Sequence, residues 1–279
     1  MGEKEAVLKS DVPITKDSLK KDFKELGMRE GLTVIVHSSL QSMGWVCGGA
    51  VAVIQAIEEI LTEEGTVVMP AHSSDYSEPS NWSNPPVPES WWEIIRDNMP
   101  AFDPSLTPTR GMGIIVETFR KQNNVVRSEH PQFSFAAWGK NAEYVTDNHQ
   151  LSFSLGPDSP LGKLYKLKAW ILLLGVGYSR NTSIHLAEYL SDYPSKELIE
   201  QGAPVMVNGK REWITFKDLD FSSDDFEDVG KAFEKRMSHL VRKGKVGVAE
   251  ARMIPQKVLV DFASEWFSNN RKEHKNEEN

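Results

Sequence analysis

His185 and Glu188, three residues apart in Asn181-Thr182-Ser183-Ile184-His185-Leu186-Ala187-Glu188-Tyr189, have the types and spacing for proton chemistry. Positions i and i+3 of a helix share a face, so the carboxylate can orient the imidazole or raise its basicity. Helical histidines more often serve structure, but this one follows Gly175-Val176-Gly177 at the end of a predicted strand, where α/β proteins gather catalytic groups. A second constellation, Arg127-Ser128-Glu129-His130-Pro131-Gln132-Phe133-Ser134-Phe135-Ala136-Ala137-Trp138-Gly139, sets polar groups beside a proline that fixes the chain, at the mouth of an apolar run. His37-Ser38-Ser39 ends the first predicted strand, and Gly48-Gly49 opens the next helix. That arrangement is either a capped turn or a phosphate site built on unpaired helix N–H groups. In Thr107-Pro108-Thr109-Arg110-Gly111-Met112-Gly113, capping hydroxyls accompany glycines that let a ligand approach the backbone. Acidic residues gather at Asp75, Glu78, Asp97 and Asp103, and again at Asp218, Asp220, Asp224, Asp225, Glu227 and Asp228. Singly each belongs to a solvated face; together they suit a cationic sugar.

Other chemistries lack their marks. Seven histidines occur without H-E-x-x-H or Cys/His spacing, so no metal is expected. Walker spacing, a clear G-x-G-x-x-G and a G-x-S-x-G elbow are all missing from the sequence. Cys47 stands near a predicted helix start that would lower its pKa, which makes a cysteine acyl carrier the rival nucleophile. The chain has 279 residues, 39% of them hydrophobic, and a net charge of −8. That charge disfavours nucleic acid or an anionic membrane and is compatible with a small polycation. With one cysteine, no intramolecular disulfide is possible; with no apolar signal in Met1–Pro13, the expected compartment is the cytoplasm. No apolar run approaches the ~20 residues that span a bilayer.

The elements needed to position these groups alternate. A helix from Asp17 or Ser18 to about Leu26, a β-branched strand Leu32–Val36, a helix from Gly48-Gly49 to Leu61 and a strand Thr66–Met69 form a right-handed βαβ unit. Residues 71–110 interleave prolines with Trp82, Trp91 and Trp92, too long and too aromatic for a passive or disordered loop. A helix Gly111–Arg120, a strand Phe133–Trp138, a short helix from Leu161, a strand Ala169–Gly175 and the helix of His185 follow. Asn208-Gly209 predicts a hairpin joining Pro204–Val207 to Glu212–Phe216. A helix Phe226–Val241, a strand Val246–Ala251, a helix Pro255–Phe267 and a frayed tail from about residue 271 complete the chain. These patterns predict a single α/β domain over 1–279, in three layers, with a mixed, largely parallel central sheet flanked by helices and a projecting hairpin.

The Arg127–Gly139 segment resembles the R-S-x-H-P-x-x-S-x-A-A-x-G signature of the aminoglycoside 3-N-acetyltransferase family, and Asn181–Glu188 resembles that family's N-T-x-x-H-x-A-E motif. The resemblance runs from about Leu32 to Trp266. It implies that His185 is the general base toward the substrate amine, oriented by Glu188. It also implies that His37, Ser38, Ser39, Thr107, Thr109, Met112, Gly113, Arg127, His130 and Ser134 form the coenzyme A wall, with acetyl-CoA as co-substrate. Phe226-Glu227-Asp228-Val229-Gly230 resembles the family's F-x-D-I/V-G helix start, which points to Asp228, beside Asp75 and Glu78, as a substrate contact. The implied activity is acetylation of the 3-amino group of a 2-deoxystreptamine aminoglycoside by a monomer or homodimer. Backbone amides near Ser38 or Gly113 are its candidate oxyanion donors. The alternatives are acetylation of another amine, such as an aminophosphonate, and coenzyme A binding without catalysis.

Overall fold

Parallel strands buried on both faces need helices on each side, and the computed structural model, which describes residues 3–271, builds that arrangement from the two halves of the chain. Helices α1 (Glu3–Leu8) and α2 (Lys16–Glu25) precede β1 (Thr33–Ser38), α3 (Gly49–Leu61) and β2 (Thr66–Pro70). A reciprocal Thr15/Ser18 capping box starts α2. After β2 the chain makes its long excursion, which contains α4 (Trp92–Asn98) and single 3-10 turns at Pro79–Asn81 and Glu89–Trp91. It returns through α5 (Ile114–Phe119), β3 (Val126–Arg127), β4 (Phe135–Gly139), α6 (Ala142–Thr146), α7 (Pro160–Lys166) and β5 (Trp170–Leu174). The second half adds α8 (Ser183–Leu190), the hairpin β6 (Leu198–Val207) and β7 (Lys210–Leu219), α9 (Phe226–Met237), β8 (Arg242–Val246), β9 (Ala249–Pro255) and α10 (Gln256–Asn270).

The sheet order is β3-β4-β2-β1-β5-β9-β8. Its centre is parallel, with β1 between β2 and β5, and its margins are antiparallel. Alternation along the strands divides the core. Val34, Val36, Leu172 and Leu174 face Phe23, Ile57 and Phe119 of α2, α3 and α5, whereas Ile35, Ile171 and Leu173 face Leu164, Ile184, Phe233 and Phe267 of α7 to α10. The expected three layers result.

Three expectations need correction. Val246–Ala251 is two strands, because Gly247 at φ +58° turns the chain and its N–H donates to Asp22 Oδ2 at 2.8 Å. The helix expected from Gly111 starts at Ile114, since Gly111 and Gly113 lie at φ +71° and +85°, outside helical space. Arg271 does not fray: it is held by ion pairs to Glu188 and Asp225. The rest of that expected tail, 272–279, lies outside the described residues. The Asn208-Gly209 turn forms as expected, with φ +50° and +77°. The hairpin is moored along the excursion: Arg211 donates to the carbonyls of Met99 (3.0 Å) and Arg96, and Phe102 N–H donates to the Pro204 carbonyl at 2.9 Å.

Candidate active site

The parallel centre of the sheet aims the ends of β1, β2 and β5 at one edge, and the reactive groups collect there. Beyond β5 the chain turns at Gly175 (φ +67°) and through Tyr178–Arg180 into α8, where the Asn181 carboxamide oxygen accepts the Ser183 N–H at 3.3 Å. One turn on, His185 Nδ1 lies 2.5 Å from Glu188 Oε2. An ionised carboxylate only accepts, so Nδ1 carries a proton and, in the neutral imidazole, Nε2 has the lone pair. The imidazole packs against Phe221 and Phe226, with ring centroids 4.6 and 4.7 Å away. Glu188 is completely buried. Its other oxygen accepts from Ser222 N–H at 3.0 Å and from Arg271 at 2.6 Å.

Two clefts lie close to this pair. The first, about 550 Å³, is lined by His37, Ser38 and Ser39 from the end of β1, by Gly111 to Val116, and by Arg180 and Thr182. His37 Nε2 and Ser38 Oγ are buried there without a protein partner. Space around Gly111 and Gly113 is open, with no atom within 4 Å of where a side chain would begin. Exposed backbone, unsatisfied polar atoms and the cation of Arg180 suit a long ligand with amide and phosphate groups. The second cleft, about 490 Å³, lies between the excursion and the hairpin, lined by Asp75, Trp82, Arg110, Gln132, Phe133 and Gln201 among others. Phe133 stacks edge-on against Phe221 at 5.2 Å, and Phe221 touches His185, so His185 stands between the clefts. Burial, with the nearby His185, pushes His37 and His72 down to about 3, so both are neutral imidazoles at pH 7.

Of the residues expected to form the coenzyme wall, the structure brings His37, Ser38, Ser39, Met112 and Gly113 to the first cleft. Arg127 goes elsewhere. All five of its N–H donors are engaged within the protein: with Ser134 Oγ (3.0 Å), the carbonyls of Pro104 (3.2 Å), Thr107 (2.6 Å) and Ala71 (2.7 Å), and Ser73 Oγ (2.9 Å). Ser134 also donates to Ala71, while the Thr107 hydroxyl accepts from Asp103 N–H and Thr109 donates to Glu117. His130 Nδ1 accepts from the Gln132 and Phe133 N–H groups and Nε2 contacts the Leu151 carbonyl, which leaves neither nitrogen for a ligand. These residues tie down the excursion and the approach to β4 instead of lining the cleft.

The expected acidic contacts also separate. Asp75 lines the second cleft, paired with Arg110 at 3.6 Å. Glu78 is buried against Arg96 at 2.5 Å and caps the turn at Pro79. Asp228 is exposed on α9, hydrogen-bonded to Lys231, in a separate depression with Asp224, Asp225 and Arg271.

With this geometry in view, comparison with known proteins is decisive: the model of the aminoglycoside 3-N-acetyltransferase family matches residues 35–268. The chain belongs to that family. It is 51% identical over 268 residues to the SPbeta prophage-derived aminoglycoside N(3')-acetyltransferase-like protein YokD of Bacillus subtilis, covering 96% of this chain and 97% of that one. The crystal structure of YokD superposes with a TM-score of 0.92, over 96% of this chain and 98% of that one. Aminoglycoside N(3)-acetyltransferase VII of Streptomyces paromomycinus is 33% identical over 279 residues, 96% of each chain. The structure of AAC-IIIb in binary complex with CoASH is 26% identical at a TM-score of 0.83, covering 94% of this chain and 98% of that one. Among the described residues, no helix is long and apolar enough to cross a membrane.

Several residues that line the two clefts or touch His185 escaped the sequence analysis. Arg180 stands directly before Asn181-Thr182, and its place in that loop was the available clue. Gln132 lies within the Arg127–Gly139 signature but was masked by its charged neighbours. Gln201 and Phe221 reach the site only through the hairpin and the segment after it, so no local pattern marks them.

Proposed function

We propose that this protein transfers the acetyl group of acetyl-CoA to the 3-amino group of a 2-deoxystreptamine aminoglycoside, in a ternary complex. The observation that carries the reading is the His185–Glu188 pair between two clefts, one with unsatisfied polar atoms and open glycines, in a chain of this family. Acetyl-CoA fits the first cleft, with Arg180 toward its phosphates and the thioester near His37 and Ser38. The amine enters from the second cleft. Its nitrogen attacks the thioester carbonyl as its proton passes to His185 Nε2, the imidazolium being held by Glu188. Collapse of the tetrahedral intermediate breaks the C–S bond, and the thiolate leaves and takes up a proton. Gly113, with open space around its Cα, supports a backbone oxyanion contact.

Arg110 in the wall of the second cleft favours one other reading: an amine that also bears an anionic group, such as an aminophosphonate, held by that guanidinium. Steady-state acetyl transfer against a panel of polycationic aminoglycosides, neutral amines and anionic amines, at low and high salt, tests both. Turnover of aminoglycosides that weakens as salt screens charge supports the first reading. Turnover confined to anionic amines replaces it with the second, and no transfer to any amine overturns both.

A further inference from the structure

Glu188 is a carboxylate with no exposure, and a buried charge of that kind is tolerated only when it is compensated and its lone pairs are satisfied. Its two oxygens have separate duties. Oε2 takes the His185 N–H, while Oε1 takes Ser222 N–H and the Arg271 guanidinium. Arg271 follows α10 directly, more than eighty positions along the chain from the residue it serves. Its guanidinium holds Asp225 through two hydrogen bonds of 2.8 Å, donates to the Ser222 carbonyl at 3.0 Å, and lies 3.8 Å over the Phe267 ring. One side chain therefore joins α8, the segment before α9 and the end of α10.

We propose that Arg271 is a positioning residue for the acetyl-transfer base. It fixes Glu188 so that only Oε2 faces His185, and its charge moderates the pull of the carboxylate on the imidazole proton. The inference rests on the reading of His185 as the base. The charged and titratable groups facing the pair are Arg271 from the end of α10, Asp225 from the start of α9, Tyr193 and Lys196 from the segment after α8, and the neutral His37 and His72 from the ends of β1 and β2. Among these, Arg271 is the cation touching Glu188. Without it the carboxylate keeps only Ser222 and His185, so it holds the imidazole proton more strongly and is free to rotate.

Arg271→Gln, Arg271→Lys and, as a surface control, Arg236→Gln (Arg236 pairs with Glu265 at 3.6 Å on the exterior) are compared for thermal midpoint, kcat against pH and the ¹⁵N shifts of the His185 ring. In Arg271→Gln, kcat is expected to fall about tenfold, less than for loss of the base itself. The acidic limb of its rate profile moves to higher pH, and the ring loses its single Nδ1–H form. Arg271→Lys recovers part of each change, because it restores the charge but not the forked contacts to two carboxylates. Arg236→Gln changes nothing. If Arg271→Gln keeps the wild-type limb and ring signals, with kcat either intact or reduced only in step with the folded fraction, Arg271 merely clamps the chain and the proposal is overturned. The ring signals need no turnover, so a protein that acetylates none of the amines sinks the functional reading while the positioning role is still decided.

Discussion

His185 lies close to both clefts, with Nε2 as the nitrogen turned away from Glu188, so its loss should affect chemistry far more than fold. His185→Ala is expected to lower turnover by ~10²–10⁴ while acetyl-CoA still raises the thermal midpoint; retained turnover with two amines of different basicity would make His185 structural. Glu188→Gln is expected to cost less, since a base remains in place. Arg127 illustrates the opposite case. Motif position gave it a ligand-binding role, yet its five donors hold together the excursion and the chain before β4. Arg127→Ala would strand several buried acceptors, and denaturant unfolding should show a loss of about 3–5 kcal/mol. The pair His185 and Glu188 was legible because both partners share one helix turn. Arg271 was not, because nothing local connects it to residue 188; only the packing of α10 against α8 brings it there.

At the level of elements, periodicity read the helices and central strands well because β1, β2 and β5 are apolar on both faces and α3 and α10 carry wide apolar stripes. It failed where a single backbone angle decides the outcome, as at Gly247, which turns a run of strand-like residues into two strands. Two-residue β3 and five-residue α6 are too short to show a period. The hairpin was legible from Asn208-Gly209, but its docking against the excursion was not, since that depends on Arg211 meeting the carbonyls of Met99 and Arg96. Cutting that tether should loosen one wall of the second cleft. Arg211→Ala is expected to raise KM for the amine several-fold, by about 1–2 kcal/mol of lost hydrogen bonding, and to leave acetyl-CoA affinity within twofold. Equal weakening of both substrates would show that the clefts are not separable.

At the scale of the molecule, four imidazoles among the described residues are held neutral: His37 and His72 at about 3, His130 at about 4, and His149 well below its ordinary value, each chiefly through removal from solvent. The unfolded chain binds protons near the ordinary value of 6.5 that the folded chain refuses. The contribution of these imidazoles to stability is therefore complete above 6.5 and falls on acidification through the window from 6.5 toward 3 or 4. Each such histidine contributes a slope of about 1.4 kcal/mol per pH unit, or roughly 2 kcal/mol by pH 5. His149 is held by Ser128 Oγ and the Ser154 carbonyl. In His149→Gln, the unfolding free energy measured from pH 7 to pH 5 should lose one proton's share of this slope; an unchanged slope would show that His149 titrates in the fold.

The two clefts are made from material of unequal cohesion. On the proposed assignment, the walls offered to acetyl-CoA include the ends of β1 and β5, two largely buried strands at the centre of the sheet. Those offered to the amine come from a two-stranded ribbon outside that sheet and from a run dominated by turns. A ribbon of two strands is only marginally persistent alone, so on that assignment the donor chamber is expected to exist before any ligand arrives and the acceptor chamber, tethered chiefly through Arg211 and Phe102, to be consolidated by its occupant. The expected kinetic outcome is an ordered encounter, donor first. Amide exchange should report it: rapid at residues 198–219 in the free and donor-bound protein, slowed once the amine is seated, and slow in β1 and β5 throughout.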